Sequence, residues 1–252
     1  MKRAILVAAG LVSGCTKSHR VEPKDEPGDG HVAKPVVVAV DAAPDPTPTP
    51  EPVVTNGLCV TKGSLANEQD VTVPTFRAVA PDTGGDSASL EFVFHGETDK
   101  ERALGSGQIR RQIGLKLRAK NGCNLVYAMW RLDPKPKLEV SVKLNPGAAN
   151  HEQCNTEGYT KVKPEKSSPL PDLVSGDTHT LAAEITGTEL TAWIDGKVAW
   201  RGHLPEAVRT LAGRAGLRSD NLAYTIKKFT GAPGAPAPAD AKHQRCHNED
   251  ND

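Results

Sequence analysis

Aromatic and polar side chains in one apolar run could form a contact surface for a sugar, whose flat apolar faces pack against exposed rings. Aromatic residues make up only 4% of the chain, and two of them, Tyr127 and Trp130, share the run NLVYAMWRL. Residues an odd number apart on a strand point to opposite faces. We therefore expect one ring in the core and the other outside. The outward ring, together with polar partners, is predicted to contact a ligand; those partners are Arg131, Asp220 and Asn221.

The acidic side chains do not form an evident catalytic pair. Hydrolysis of a glycan with retention needs two carboxyl groups about 5 Å apart. Glu184 and Glu189 lie on either side of a predicted turn, and Glu91 and Glu97 are separated by His95-Gly96. The presence of both pairs is explained if these glutamates lie on solvent-exposed faces of strands. We therefore expect no catalytic residue and a protein that is not an enzyme.

The first fifteen residues, MKRAILVAAGLVSGC, have the order of an export signal: two cations, an apolar run, then small residues before a cysteine. The apolar run is far shorter than the about 20 residues that span a bilayer. Val12-Ser13-Gly14-Cys15 resembles the lipobox of bacterial lipoprotein precursors. The resemblance implies a signal peptide over residues 1–14, acyl chains on Cys15, and a lipid-anchored protein of the bacterial cell envelope. Thr16, where many inner-membrane lipoproteins have Asp, favours the outer membrane.

Four cysteines remain if Cys15 is acylated, an even number in a compartment that permits disulfides. Four cysteines allow three pairings. Cys123 with Cys154 would close a long loop inside the domain. Cys59 with Cys246 would tie the two ends of the domain together. We favour this connectivity.

A metal site is the alternative interpretation of some of these residues. His151–Cys154 and residues 243–247 contain His and Cys side chains that zinc could use, but disulfides explain the sulfurs in an oxidising compartment. Asp220 and Asn221 lie on the loop before the last predicted strand and could bind calcium. An ordinary turn explains them as well. We predict no metal and no cofactor.

Charge and composition limit both partners and domains. Lys and Arg together number 31, as do Asp and Glu, so there is no basic excess and nucleic acid is not an expected partner. Residues 15–56 are rich in Pro and include PDPTPTPEP, which predicts a disordered linker after the lipidated cysteine. Residues 231–252 begin GAPGAPAPADAK and predict a flexible tail. Residues 57–230 are expected to form one domain.

The central segment has a strand pattern throughout. Leu90, Phe92 and Phe94 alternate with polar or less apolar residues, and similar runs begin near Ile109 and Leu138. Compact turns separate the runs, among them TGT at residues 186–188 and DG at residues 195–196. Only PEAVRTL at residues 205–211 looks helical. The pattern predicts an all-β, antiparallel β-sandwich.

The stretch HTLAAEITGTELTAWIDGKVAWRG, followed by AGRAGLRSDN, resembles the C-terminal half of concanavalin A-like jelly rolls, including laminin G-like domains. The Asp195-Gly196 turn and the segment GRAGLR at residues 213–218 carry the resemblance, which covers roughly residues 176–229. It implies a jelly-roll fold. Glycosidases of this superfamily carry a Glu-x-Asp-x-x-Glu arrangement, which this chain lacks.

These features together predict a tethered, non-catalytic jelly-roll module at the cell envelope, held to the membrane by acyl chains on Cys15. Its expected partner is a glycan or an envelope protein. A purely structural envelope component, with no dedicated ligand, is the alternative. A divergent glycan hydrolase with carboxylates on separate strands is the third possibility.

Overall fold

The computed structural model describes residues 58–234 and the backbone of Val53–Val54. The predictions for Cys15, for the signal peptide, for Cys246 and for nearly all of the linker and tail lie outside these residues. Within the described part, no helix is both long enough and apolar enough to cross a membrane.

The described chain is almost entirely strand, as its alternating apolar pattern predicts. It has one short α-helix, α1 (His151–Cys154), and one 3-10 helix, η1 (Glu206–Thr210). In chain order the strands are β1 (Val53–Val54), β2 (Cys59–Lys62), β3 (Asp70–Val71), β4 (Thr75–Val79), β5 (Thr83–Glu97), β6 (Gln112–Asn121), β7 (Asn124–Arg131), β8 (Lys137–Lys143), β9 (Tyr159–Val162), β10 (Lys166–Ser167), β11 (Thr178–Thr186), β12 (Glu189–Ile194), β13 (Lys197–His203), β14 (Arg214–Asp220) and β15 (Leu222–Pro233).

The strands form two antiparallel sheets. The eight-stranded sheet has the order β1-β15-β5-β11-β12-β13-β10, with β3 pairing on β15. The seven-stranded sheet has the order β2-β4-β14-β6-β7-β8-β9. Strands that are distant in sequence are neighbours in both sheets, as β14 is between β4 and β6. The prediction of an all-β jelly-roll sandwich is confirmed.

The core lies between the sheets and is built from the apolar residues that alternate along each strand. Phe92 of β5 packs edge-to-face on Trp130 of β7 and on Tyr224 of β15, with ring centroids 6.3 and 6.0 Å apart. Trp130 is fully buried in this cluster. The prediction that Trp130 is a candidate ligand contact is therefore wrong, because its indole belongs to the face of β7 that packs against the other sheet.

The turns follow their sequence signals. Asp195 and Gly196 have positive φ values of 50° and 74°, as an Asp-Gly hairpin turn requires. The PEAVRTL segment forms η1 directly after Pro205. One predicted strand run is shorter than expected: Ile109 is 51% exposed and precedes β6, because the chain before Gln112 forms a loop. The sandwich also extends past the predicted domain bounds of residues 57 and 230, since β1 pairs with the end of β15.

The predicted disulfide between Cys123 and Cys154 is confirmed. It joins the turn between β6 and β7 to the last residue of α1. The sequence did not predict this helix, although Asn150 and Gln153 form a reciprocal capping box at its start. Cys59 is also disulfide-bonded, and its predicted partner, Cys246, lies outside the described residues.

Candidate functional site

A cavity of about 530 Å³ opens on the outer face of the seven-stranded sheet. Its floor consists of side chains from all seven strands of this sheet: β2, β4, β6, β7, β8, β9 and β14. The loop at residues 102–106 and the residues around α1, among them His151, Asn155 and Thr156, form the rims of the cavity. The sheet therefore supplies a rigid floor, and two loop segments enclose the space above it.

Two tyrosines line the cavity and stack on each other. The rings of Tyr127 on β7 and Tyr159 on β9 are 6.2 Å apart between centroids and 18° from parallel. The Arg218 guanidinium lies 5.0 Å from the Tyr127 ring centre, and Lys143 Nζ lies 5.1 Å from that of Tyr159. Tyr127 is only 2% exposed, whereas Tyr159 is 43% exposed. Tyr159 thus offers the accessible aromatic surface, although its position in the sequence does not mark it as a candidate.

Tyr127 and Trp130 do lie on opposite faces of β7, as their odd spacing predicts. Three outward residues of β7 and one residue of β6 form a small apolar cluster that is separate from the main core: Leu125, Tyr127 and Met129 of β7 and Ala119 of β6. Tyr127 is therefore the candidate of this pair that remains at the site.

Asp220 lies at the cavity floor, but its carboxylate is already occupied. Arg77 Nη2 donates to Oδ1 at 2.7 Å, while Gln112 Nε2 and Arg218 Nε donate to Oδ2 at 2.6 and 3.1 Å. Burial alone would raise the pKa of Asp220, but the Arg218 and Arg77 charges and the Gln112 hydrogen bond lower it to about 2. Asp220, predicted as a ligand contact, lines the cavity as a buried counter-ion that holds β4, β6 and β14 together.

Asn221 positions the rim of the cavity and does not face a ligand. Its side-chain Oδ1 accepts from the Arg102 N–H at 2.7 Å, and its Nδ2 donates to the carbonyls of Arg102 and Arg110 at 3.0 and 2.9 Å. The residue is fully buried and has a φ of 55°, a left-handed conformation that Asn tolerates better than most residues. The prediction of Asn221 as a ligand contact is therefore wrong; it anchors the loop.

Arg131 reaches the cavity only through an acidic neighbour. Its Nη1 donates to Glu139 Oε2 at 3.0 Å, and Lys161 Nζ lies 3.4 Å from the same oxygen. Burial raises the pKa of Glu139, but the Arg131 and Lys161 charges outweigh burial, so the pKa is lowered. Glu139 and Lys161 line the cavity, and the ion pair with Arg131 holds the Glu139 carboxylate in place.

The disulfide and a buried lysine hold the α1 rim in place. Cys154 ends α1, and Lys143 Nζ donates to the carbonyls of Gly122 and Asn155 at 3.1 Å each. His151 and Asn155, on either side of the bridged cysteine, both line the cavity. Among residues 58–234, no group of three or more His, Cys, Asp or Glu side chains is placed to hold a metal ion.

Comparison with known proteins gives likeness of fold only. No family model matches the chain, and no curated protein matches it significantly. A carbohydrate-binding module from Bacillus subtilis is 13% identical, with a TM-score of 0.47 over 70% of this chain and 94% of that chain. A tetrameric galectin from the ball sponge Cinachyrella is 12% identical, with a TM-score of 0.39 over 65% and 98%. A transglycosylase in complex with NAG is 14% identical, with a TM-score of 0.39 over 71% and 79%. These values identify no family.

Proposed function

We propose that this chain is an envelope lipoprotein whose β-sandwich binds a glycan, without cleaving it, in the cavity on the seven-stranded sheet. The observation that carries the proposal is the half-exposed Tyr159 ring, stacked on Tyr127 and surrounded by polar side chains in a space of about 530 Å³. An aromatic surface beside a few placed polar groups suits a sugar, which has apolar faces and polar edges.

The protonation states of the two acids in the cavity support binding without hydrolysis. Glycoside hydrolysis by a carboxyl pair needs one acid with a raised pKa, so that it can protonate the leaving oxygen. The pKa values of Asp220 and Glu139 are both lowered by neighbouring cations. Both groups are therefore ionised at neutral pH and are poor proton donors.

Replacing Tyr159 by Ala is expected to weaken glycan binding about tenfold, because it removes the accessible ring of the cavity. Tyr159→Phe keeps the ring and is expected to retain most of the affinity. The measurement is calorimetric titration of the purified full-length protein with a panel of neutral and acidic polysaccharides, with the released sugars analysed in parallel. Equal affinity of Tyr159→Ala and wild type would contradict the site assignment. The absence of binding across the panel would favour the structural alternative, and released products would favour the hydrolase.

The envelope anchor is tested separately from the cavity. Cys15→Ala is expected to abolish incorporation of a tagged fatty acid, because the thiol of Cys15 is the predicted acceptor of the lipid. Ser13→Ala is the matched control: it keeps a small residue in the lipobox-like segment, so acylation should persist. The label is followed by metabolic labelling and recovery of the protein from membranes. A labelled Cys15→Ala protein would contradict the lipoprotein proposal and leave the binding proposal untouched.

A further inference from the structure

The carboxylate of Glu139 has one oxygen that its neighbours use and one that they leave to a ligand. Oε2 lies 3.0 Å from Arg131 Nη1, 3.5 Å from Lys137 Nζ and 3.4 Å from Lys161 Nζ. Within residues 58–234, every hydrogen bond and ion pair of this side chain goes to Oε2. A carboxylate oxygen can accept two hydrogen bonds. Because Glu139 lines the cavity and its side chain is 17% exposed, Oε1 can accept from a ligand.

Lys161 places a donor beside this acceptor. Its side chain lines the cavity and is 68% exposed. An ammonium group has three N–H donors, so Lys161 can bond to Glu139 and still donate to a ligand. An acceptor and a donor therefore lie side by side at one place in the cavity.

This carboxylate–ammonium pair lies close to the Tyr159 ring. Lys161 follows Tyr159 by two residues on β9, so both side chains project from the same face of the sheet, about 7 Å apart along the strand. Ser141, two residues along β8 from Glu139, is directly opposite Lys161. The separation is comparable to the size of one sugar residue. A sugar that packs on Tyr159 can therefore present its hydroxyl groups to the pair.

We infer that Glu139 and Lys161 select a sugar unit with two neighbouring free hydroxyl groups, an inference that rests on the proposed function of this cavity. One hydroxyl donates to Glu139 Oε1, and the other accepts from Lys161 Nζ. Neighbouring hydroxyls of a pyranose ring lie about one hydrogen-bond length apart, which fits an acceptor and a donor that are in contact. The lowered pKa of Glu139 keeps the acceptor ionised at neutral pH. A methylated hydroxyl has no proton to donate, so it leaves Oε1 without a partner and is rejected.

Matched polymers test the need for free hydroxyls. The purified full-length protein is titrated with soluble xylan, mannan, galactan and dextran, each in its native form and in a partly O-methylated form. At least one native polymer is expected to bind about tenfold more tightly than its methylated form, because methylation removes the donors. Equal affinity for both forms of every polymer that binds would overturn the inference.

Two lysines test the location. Lys161→Ala is expected to weaken binding of the native polymer about threefold to tenfold, because it removes the donor of the pair. Lys137→Ala is the matched control. Its Nζ lies 3.5 Å from the same Glu139 oxygen and its side chain is 50% exposed, but Lys137 lies outside the cavity lining and its loss should have no effect. Equal losses in the two variants would overturn the pair, since both lysines would then act only by supporting Glu139.

Glu139→Gln tests the acceptor. The three cations around Oε2 favour an oxygen at that position, so the NH₂ group of the glutamine takes the position of Oε1 and presents donors where the carboxylate accepts. Binding of the native polymer is expected to weaken about tenfold, and binding of the methylated form to change less. Glu189→Gln, on the eight-stranded sheet, changes a carboxylate that is 43% exposed and should have no effect. The same loss for both polymer forms would show that Glu139 supports the cavity without contacting the ligand, which would overturn the inference.

The outcomes separate this inference from the proposed function. Native and methylated polymers that bind alike, and whose binding is weakened by Tyr159→Ala, would overturn the selection of free hydroxyls and leave glycan binding in place. Failure to bind any of these polymers, together with the wider panel, would overturn both.

Discussion

Replacing Asp220 by Asn is expected to lower the free energy of unfolding by about 3 to 5 kcal/mol at neutral pH, the usual cost of removing one partner of a buried ion pair. The carboxylate is 1% exposed and is the counter-charge for Arg77 and Arg218, whose side chains are 4% and 12% exposed. An amide of the same shape cannot neutralise either guanidinium. The NH₂ group of the asparagine would also face one of the N–H donors that now donate to the carboxylate of Asp220. Urea denaturation of the wild type and the variant measures the difference.

The pH dependence of this difference identifies its electrostatic origin. The pKa of Asp220 is about 2 in the folded protein, against an ordinary value of 3.8. A lowered folded pKa stabilises the protein above the unfolded value, and this stabilisation is lost as the pH falls from about 4 towards 2. The difference in the free energy of unfolding between wild type and Asp220→Asn should therefore decrease by about 2 kcal/mol over that range. A gap that stays constant on acidification would indicate a packing defect in place of a lost charge.

An exposed pair supplies the control for Asp220. Asp86 pairs with Arg118, but its side chain is 61% exposed. Asp86→Asn removes the same charge and is expected to cost less than about 1 kcal/mol, because solvent screens the interaction. A similar decrease in the free energy of unfolding for Asp86→Asn and Asp220→Asn would show that burial does not determine the cost of losing the charge.

Removing the disulfide by the double change Cys123→Ala and Cys154→Ala is expected to cost about 3 to 4 kcal/mol. The bridge closes a loop with a sequence separation of 31 residues, and releasing it returns the corresponding chain entropy to the unfolded state. The measurement is the free energy of unfolding of the oxidised wild type against the double variant. Reduction of the wild type should move it towards the variant.

A helix-cap variant distinguishes the covalent constraint from loss of α1. Asn150→Ala removes the capping box and is expected to cost about 1 kcal/mol. If the double cysteine variant were only as unstable as Asn150→Ala, the stabilisation would come from the helix and not from the bridge. Because His151 and Asn155 line the cavity, the double variant should also bind the proposed glycan ligand more weakly.

Periodicity and turn chemistry were sufficient for the fold because both are local. Leu90, Phe92 and Phe94 alternate in sequence and all lie in the core, and the Asp195-Gly196 turn forms where the two residues predict it. The odd spacing of Tyr127 and Trp130 likewise predicted correctly that the two rings lie on opposite faces of β7. The spacing could not say which ring faces the core, because every residue of β7 except Arg131 is buried and both faces of the strand are therefore covered.

The rest of the site depends on contacts that are remote in sequence. Asp220 and Asn221 look like turn residues, but their partners Arg77, Gln112 and Arg102 are 143, 108 and 119 positions away. The role of Tyr159 could not be predicted from the sequence for a different reason. It begins β9, the edge strand of its sheet, whose first three residues are exposed, so no alternation marks the strand.

The hydrogen bonds by which Asn221 holds the loop affect which residues of that loop can be substituted during evolution. All three of its side-chain hydrogen bonds go to main-chain atoms of residues 102 and 110, which every residue type supplies except that proline lacks the N–H. Substitutions between these positions can therefore alter the chemistry presented to a ligand without releasing the segment. During evolution, ligand specificity can therefore change through substitutions in the loop, while the residues of the sandwich stay the same.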